Sequence, residues 1–285
     1  MPAPPLWKAS AVVRKAEAAD VMALLEITPP RPQAVLTAEE SFRDECVVEA
    51  LYDVMPDGDL LAKLAGHEVR VILLPDADWI KLSQEGLPPV RAGRFFVYGA
   101  HDAGTVPPGV IPIRIEAGMA FGTGHHETTA LCLAVMSELA KRQRYRHVLD
   151  LGCGTGLLAI GAAKLWRERV TASDIDPEAV AITRENAVIN AEGPRVAAVL
   201  ADGPAHPMIA RAAPFDLIVA NILAGPLTRL APAIARLLMA EGTLVLSGLL
   251  AWQEKQVLSV YRPLGLTLRR VRRDGPWSAL VMERR

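Results

Sequence analysis

Cysteine is nearly missing from this sequence: Cys46, Cys132 and Cys153 are the three in 285 residues. So sparse and odd a set excludes a disulfide framework and suits a reducing compartment. Long hydrophobic runs are missing too, none approaching the ~18 uninterrupted apolar residues of a membrane-spanning helix. Met1 to Pro5 lack the charged-then-apolar pattern of a secretory leader, and a cytoplasmic protein is expected. Neither charge is in surplus. With 31 Lys and Arg against 32 Asp and Glu, no global field draws the chain to nucleic acid or to an anionic membrane. What is present is 51% hydrophobic and 22% charged residues, enough for a sizeable core. The length exceeds one average domain, so two are expected.

Residues 11–27 read as an amphipathic helix closed by Thr28-Pro29-Pro30. Strands are expected over 33–37, 45–52, 68–74 and 94–98, with short helices ending near residue 65 and spanning 76–84. This mixture suggests a small α+β domain over 1–100, a split βαβ (ferredoxin-like) sandwich. It carries no chemical motif and reads as a packing and recognition module. Residues 101–112, rich in Gly and Pro, read as a linker, leaving 113–285 as the second domain.

The chemistry is expected in that second domain. Val148-Leu149-Asp150-Leu151 runs into Gly152-Cys153-Gly154-Thr155-Gly156 and then Leu157-Leu158-Ala159-Ile160. A buried strand that turns through glycines into a helix lets a ligand approach the main chain at a helix N-terminus. It is the first crossover of a nucleotide- or adenosine-binding α/β domain, without the G-x-G-x-x-G of a dinucleotide fold. Asp174 ends the next strand, 174 − 152 = 22 residues beyond Gly152, close to the spacing at which a carboxylate grips ribose hydroxyls. Asp176-Pro177-Glu178 reads as a helix cap.

Upstream, the glycine-rich stretch 116–129 leads into a helix over 130–139. It either offers donors to a ligand or is a flexible connection capped by Thr128 or Thr129. His125 and His126 point apart on an extended loop and have no partner at ligand spacing, so no metal is expected. Asn221 follows the apolar strand 214–220. Its amide carries both acceptor and donor, and it either orients a substrate amine or caps a turn. Strand–helix alternation argues for a doubly wound, mainly parallel sheet, with an antiparallel edge from the hairpin 266–273 and 277–282. Arg269-Arg270-Val271-Arg272-Arg273 reads as a solvated strand face, with an acidic or RNA-bearing partner as the alternative.

The glycine turn followed by Asp174 resembles the class I methyltransferases that bind S-adenosylmethionine. Phe121-Gly122-Thr123-Gly124-His125-His126-Glu127-Thr128-Thr129 and Asn221-Ile222-Leu223-Ala224-Gly225-Pro226-Leu227 look very much like signature segments of the ribosomal protein L11 methyltransferase family. That resemblance covers about residue 112 to the end. It implies a Rossmann-like methyltransferase sheet behind a small substrate-recruiting domain, with S-adenosylmethionine as cofactor. It implies that Thr129, Gly152, Asp174 and Asn221 contact the cofactor or its methyl-transfer region, and that Phe121 and Gly154 line the same pocket.

The implied substrate is ribosomal protein L11, at lysine side chains and the N-terminal α-amine, methylated repeatedly up to the trimethyl state. A monomer is expected, with no nucleic acid or membrane required. In-line transfer to a neutral amine asks for alignment and desolvation. Asn221 would hold the amine through its carbonyl, and His126 is a candidate proton acceptor. The competing readings are a lysine methyltransferase for another protein, a non-catalytic adenosine-binding assembly module, and a nicotinamide-dependent oxidoreductase, which would call for G-x-G-x-x-G.

Overall fold

A computed structural model describes residues 6–15, 17–30, 32, 34–39, 45–74, 89–115 and 126–285. These fall into two compact units, one up to residue 74 and the other from residue 89 onward. No described helix is long and apolar enough to cross a membrane.

The first unit runs β1 (Leu6–Arg14), α1 (Ala18–Ile27), β2 (Ala34–Glu39), β3 (Glu45–Tyr52), α2 (Gly58–Ala65), β4 (Val69–Leu74). The sheet order is β2-β3-β1-β4 with every pairing antiparallel, the split βαβ sandwich expected. The expected helix over 11–27 is a strand followed by a shorter helix. Ala9, Ala11 and Val13 are buried while Val12 and Arg14 are exposed, a period of two that marks a half-buried strand. Alanine's helix preference hides that period in the sequence. Expected helix 76–84 lies outside the described residues.

The second unit begins with β5 (Val90–Ala92), β6 (Phe95–Tyr98) and β7 (Ile111–Arg114), a three-stranded sheet of its own. The domain boundary therefore differs from the expected one near residue 100. Phe95, Val97 and Ile113 are buried in the core that also holds Leu131, Leu133 and Ile160, and the Arg94 N–H donates to Ser137 Oγ at 3.1 Å. Within the expected linker, Ala100–Thr105 is a 3-10 helix and Ile111–Arg114 pairs parallel with β6. Its Gly and Pro serve turns rather than slack.

The main sheet follows: α3 (His126–Leu139), β8 (Val148–Leu151), α4 (Leu157–Trp166), β9 (Val170–Asp174), α5 (Pro177–Ile189), β10 (Val196–Leu200), α6 (Pro207–Ala212), β11 (Phe215–Asn221), α7 (Ala224–Leu237), β12 (Leu238–Leu250), α8 (Glu254–Tyr261), β13 (Leu266–Asp274) and β14 (Trp277–Arg284). Seven strands lie in the order β10-β9-β8-β11-β12-β14-β13. The first five pair in parallel, and β14 and β13 close the edge antiparallel.

Both faces are covered. Val148 and Val219 pack with Leu131, Ile160 and Val180; their neighbours Leu149 and Ile218 pack with Leu227, Ile234 and Val257. Strands buried on both faces read as continuous apolar runs, which is why β8 and β11 are legible in the sequence. The short α6 was not expected. It starts with His206 accepting from the Met208 N–H at 3.2 Å, a cap the sequence does not advertise.

Candidate functional site

The site grows from the C-terminal edge of the parallel strands. After Leu151 the chain must turn back at once as α4, and Gly152, Gly154 and Gly156 do this at φ +77°, +53° and +80°, the left-handed region that suits glycine. Their surroundings differ. A Cβ on Gly152 would lie 2.3 Å from Ile222 Cγ2, and one on Gly156 would lie 3.1 Å from Thr183 Cα. At Gly154 a Cβ would meet nothing within 4 Å among the described residues. Packing thus excludes side chains at the two outer glycines, while the middle one meets no described neighbour.

β9 ends in Asp174. Its carboxylate accepts from the Gly154 N–H at 2.9 Å and from the Asp176 N–H at 3.1 Å. It ties the glycine turn to the next loop and keeps lone pairs for further donors. Asp176 caps α5 by accepting from the Glu178 N–H at 2.8 Å, as its sequence context implied.

β11 ends in Asn221. Its Nδ2 donates to Thr129 Oγ1 at 3.0 Å, in the first turns of α3. Its Oδ1 is buried with no partner among the described residues. An unpaired buried acceptor costs about 1–3 kcal/mol and calls for an explanation such as a ligand donor. Since β8 lies between β9 and β11, Asp174 and Asn221 flank the glycine turn about 10 Å apart, two strand spacings.

One residue that sequence reading passed over crowds the segment carrying Asn221. Gly248 stands at φ +79°, and its Cβ would lie 2.6, 2.8 and 2.9 Å from Ile222 O, C and N. Ile222 is thereby held between the main chain of β12 and Gly152. The signal was present: a glycine inside an apolar strand marks close approach of another backbone.

Asp150 lies beneath the turn. Its Oδ2 accepts from the Ala159 N–H at 2.9 Å, while Oδ1 is buried without a partner among the described residues. Burial pushes its pKa up to about 7, opposed by the Ala159 hydrogen bond and helped by the nearby Asp174 charge. A carboxyl whose folded pKa is raised favours folding while protonated, and that stability is lost as pH climbs from about 4 to 7. The loss over that window is on the order of 4 kcal/mol. Asp150→Asn keeps an acceptor for Ala159 and removes the titration. The wild-type protein is therefore expected to melt lower at pH 8 than at pH 5, and the variant to show a much smaller difference. Equal pH dependence of the two melting temperatures would contradict this assignment.

Burial also pushes the Cys132 thiol up to about 12 and raises that of Cys153, so neither is a nucleophile. Among the described residues no group of three or more His, Cys, Asp or Glu is placed to hold a metal. Phe121, His125 and the side chain of His126 lie outside the described residues. The 269–273 cluster is neutralised within the chain: Arg269 pairs with Glu283, Arg270 and Arg272 share Glu138, and Arg273 grips Glu254 at 2.6 and 2.7 Å. It is neither a merely solvated face nor a free docking surface.

The model of the ribosomal protein L11 methyltransferase family matches residues 10–285. The chain belongs to that family. Among relatives, the ribosomal protein L11 methyltransferase of Caulobacter sp. is 47% identical over 231 residues, covering 80% of this chain and 79% of its own length. The one from Mesorhizobium japonicum is 50% identical over 215 residues, 75% of this chain and 73% of that protein. The crystal structure of a ribosomal protein L11 methylase from Lactobacillus delbrueckii subsp. bulgaricus superposes with a TM-score of 0.62 at 29% identity, over 70% of this chain and 98% of that one. The matched span takes in the glycine turn, Asp174, Thr129 and Asn221, so the family and the site meet on the same sheet edge.

Proposed function

We propose that this protein transfers methyl groups from S-adenosylmethionine to amino groups of ribosomal protein L11, at lysine side chains and the N-terminal α-amine, in the cytoplasm. The observation that carries the reading is the Asn221 amide. Its amide nitrogen donates to Thr129 and its oxygen is buried without a partner among the described residues, an arrangement that suits an N–H donor such as an amine. The residues also fit the cofactor. Gly154 meets no described neighbour at its Cβ position, Asp174 retains acceptor sites for a ribose diol, and the two strand ends span an elongated ligand.

When bound, S-adenosylmethionine supplies an electrophilic methyl on a sulfonium sulfur. The chain's own residues align the acceptor. Asn221 Oδ1 accepts one N–H and aims the nitrogen lone pair, and Thr129 keeps the amide from turning its NH₂ inward. The amine must arrive neutral, from a pKa near ~10.4 for lysine or ~8 for an α-amine, and a desolvated pocket lowers that value. Binding and orientation, rather than a dedicated base, then carry the rate. The small first unit, whose sequence carries no recognisable chemical motif, recruits the substrate.

Mass spectrometry of purified L11 after incubation with this protein and S-adenosylmethionine tests the reading. Steps of one methyl mass are expected. Asp174→Ala is expected to weaken cofactor binding at least tenfold in calorimetry, since charge-assisted hydrogen bonds contribute about 1.5–3 kcal/mol each. Cofactor binding without any mass step would leave the fold and remove the substrate.

A further inference from the structure

We propose that a concavity at the N-terminal edge of the large sheet binds the phosphate backbone of duplex RNA. It is formed by residues 140–144, after α3, and residues 165–167, at the end of α4, and is lined by Lys141, Arg142, Arg144 and Arg167. These segments precede β8 and β9, whereas Gly152 and Asp174 follow them, so the concavity lies at the opposite end of the strands from the methyl-transfer site.

Three of its four cations are uncompensated among the described residues. Arg144 is committed to Glu168 at 2.7 Å. The exposed side chains of Lys141, Arg142 and Arg167 have no ion pair or hydrogen bond among the described residues. The neighbouring carboxylates are occupied: Glu138 holds Arg270 and Arg272, and Asp216 accepts from the Arg146 and His147 N–H groups at 2.7 and 2.9 Å. The contrast with the fully paired 269–273 cluster is direct. Helix C-termini do favour cations, by about 0.3–1 kcal/mol each, but that does not account for three unpaired cations meeting in one hollow. Arg167 also stands at φ +58°, the left-handed position after a helix that glycine or asparagine usually fills.

The ligand class follows from the lining. Arginine's planar fork matches phosphate. Little aromatic face is offered: Trp166 borders the concavity but is only 4% exposed and packs edge-to-face on the buried Tyr145 at 5.1 Å. Without a stacking platform, unpaired bases gain little, and contact falls to the phosphates of an A-form duplex. The near-zero net charge is compatible, because the field is local. The choice of RNA over another polyanion rests on the proposed function, since a ribosomal protein substrate belongs beside RNA.

Fluorescence anisotropy of a labelled RNA duplex, at several salt concentrations and without cofactor or L11, tests this independently of catalysis. Wild-type protein is expected to bind with an affinity that falls as salt rises. The triple variant Lys141→Gln/Arg142→Gln/Arg167→Gly is expected to lose more than tenfold in affinity, with a log–log salt slope smaller by about 2–3. Glycine suits φ +58°, so the variant should fold, as its melting temperature would verify. Methylation of free L11 should be unchanged. No duplex binding by wild-type protein at low salt would overturn the proposal. So would an unchanged slope in the variant, or binding to phosphatidylserine vesicles but not to RNA.

Discussion

Asn221→Ala is expected to lower kcat by about 100-fold, the cost of losing alignment at a reacting centre, with cofactor affinity changed only a few-fold. The substitution removes Oδ1, a buried acceptor without a partner among the described residues, and releases the Thr129 hydroxyl that holds the amide. The glycine turn and its tie to Asp174 are untouched, so cofactor binding should persist in calorimetry. KM for L11 should also hold, since the proposed recruitment lies in the first unit. The pattern to look for is therefore a fall in kcat without a matching rise in KM, the mark of an interaction made mainly in the transition state. Asn221→Asp keeps an acceptor and should fall less than the alanine variant at a pH where the amine is neutral. If Asn221→Ala turned over at the wild-type rate, the amide would be a structural cap on Thr129 and nothing more.

The sequence left Asn221 between orienting an amine and capping a turn. In the structure its Nδ2 reaches the distant Thr129 rather than a local turn, and Oδ1 is left without a described partner. The main sheet was legible because its strands are buried on both faces: Val148 to Leu151 and Leu217 to Ala220 could hardly be anything but parallel core strands. The place of Asp174 at a strand end beside the glycine turn was legible from spacing. β1 was not, since Ala9 and Ala11 carry no β-preference and their burial depends on partners at Ala50 and Val48 across the sheet. The division near residue 89 was hidden for a similar reason. Phe95, Val97 and Ile113 look like any short strands until α3 and α4 cover them. Spacing shows what is local, and these positions are decided by contacts distant in the chain.

Gly248 belongs with the hidden positions, and its replacement is expected to have an effect as large as that at Asn221. Gly248→Ala places a Cβ 2.6 to 2.9 Å from three main-chain atoms of Ile222, at φ +79°. Left-handed strain alone costs roughly 1–2 kcal/mol. The clash adds to it, and because the obstacle is backbone on one side of Ile222 and Gly152 on the other, the relief must come from the segment that carries Asn221. A displacement on the order of 1 Å there is enough for about a 100-fold loss of rate.

Gly265→Ala separates the two contributions. Gly265 sits at φ +86° with nothing among the described residues within 4 Å of its Cβ position, so it carries the strain without the collision. Both variants should lose about 1–2 kcal/mol of stability in urea from strain, Gly248→Ala more. Only Gly248→Ala should lose kcat. Equal activity of the two variants, each folded, would mean that β12 yields instead of β11 and that Gly248 does not position the amide.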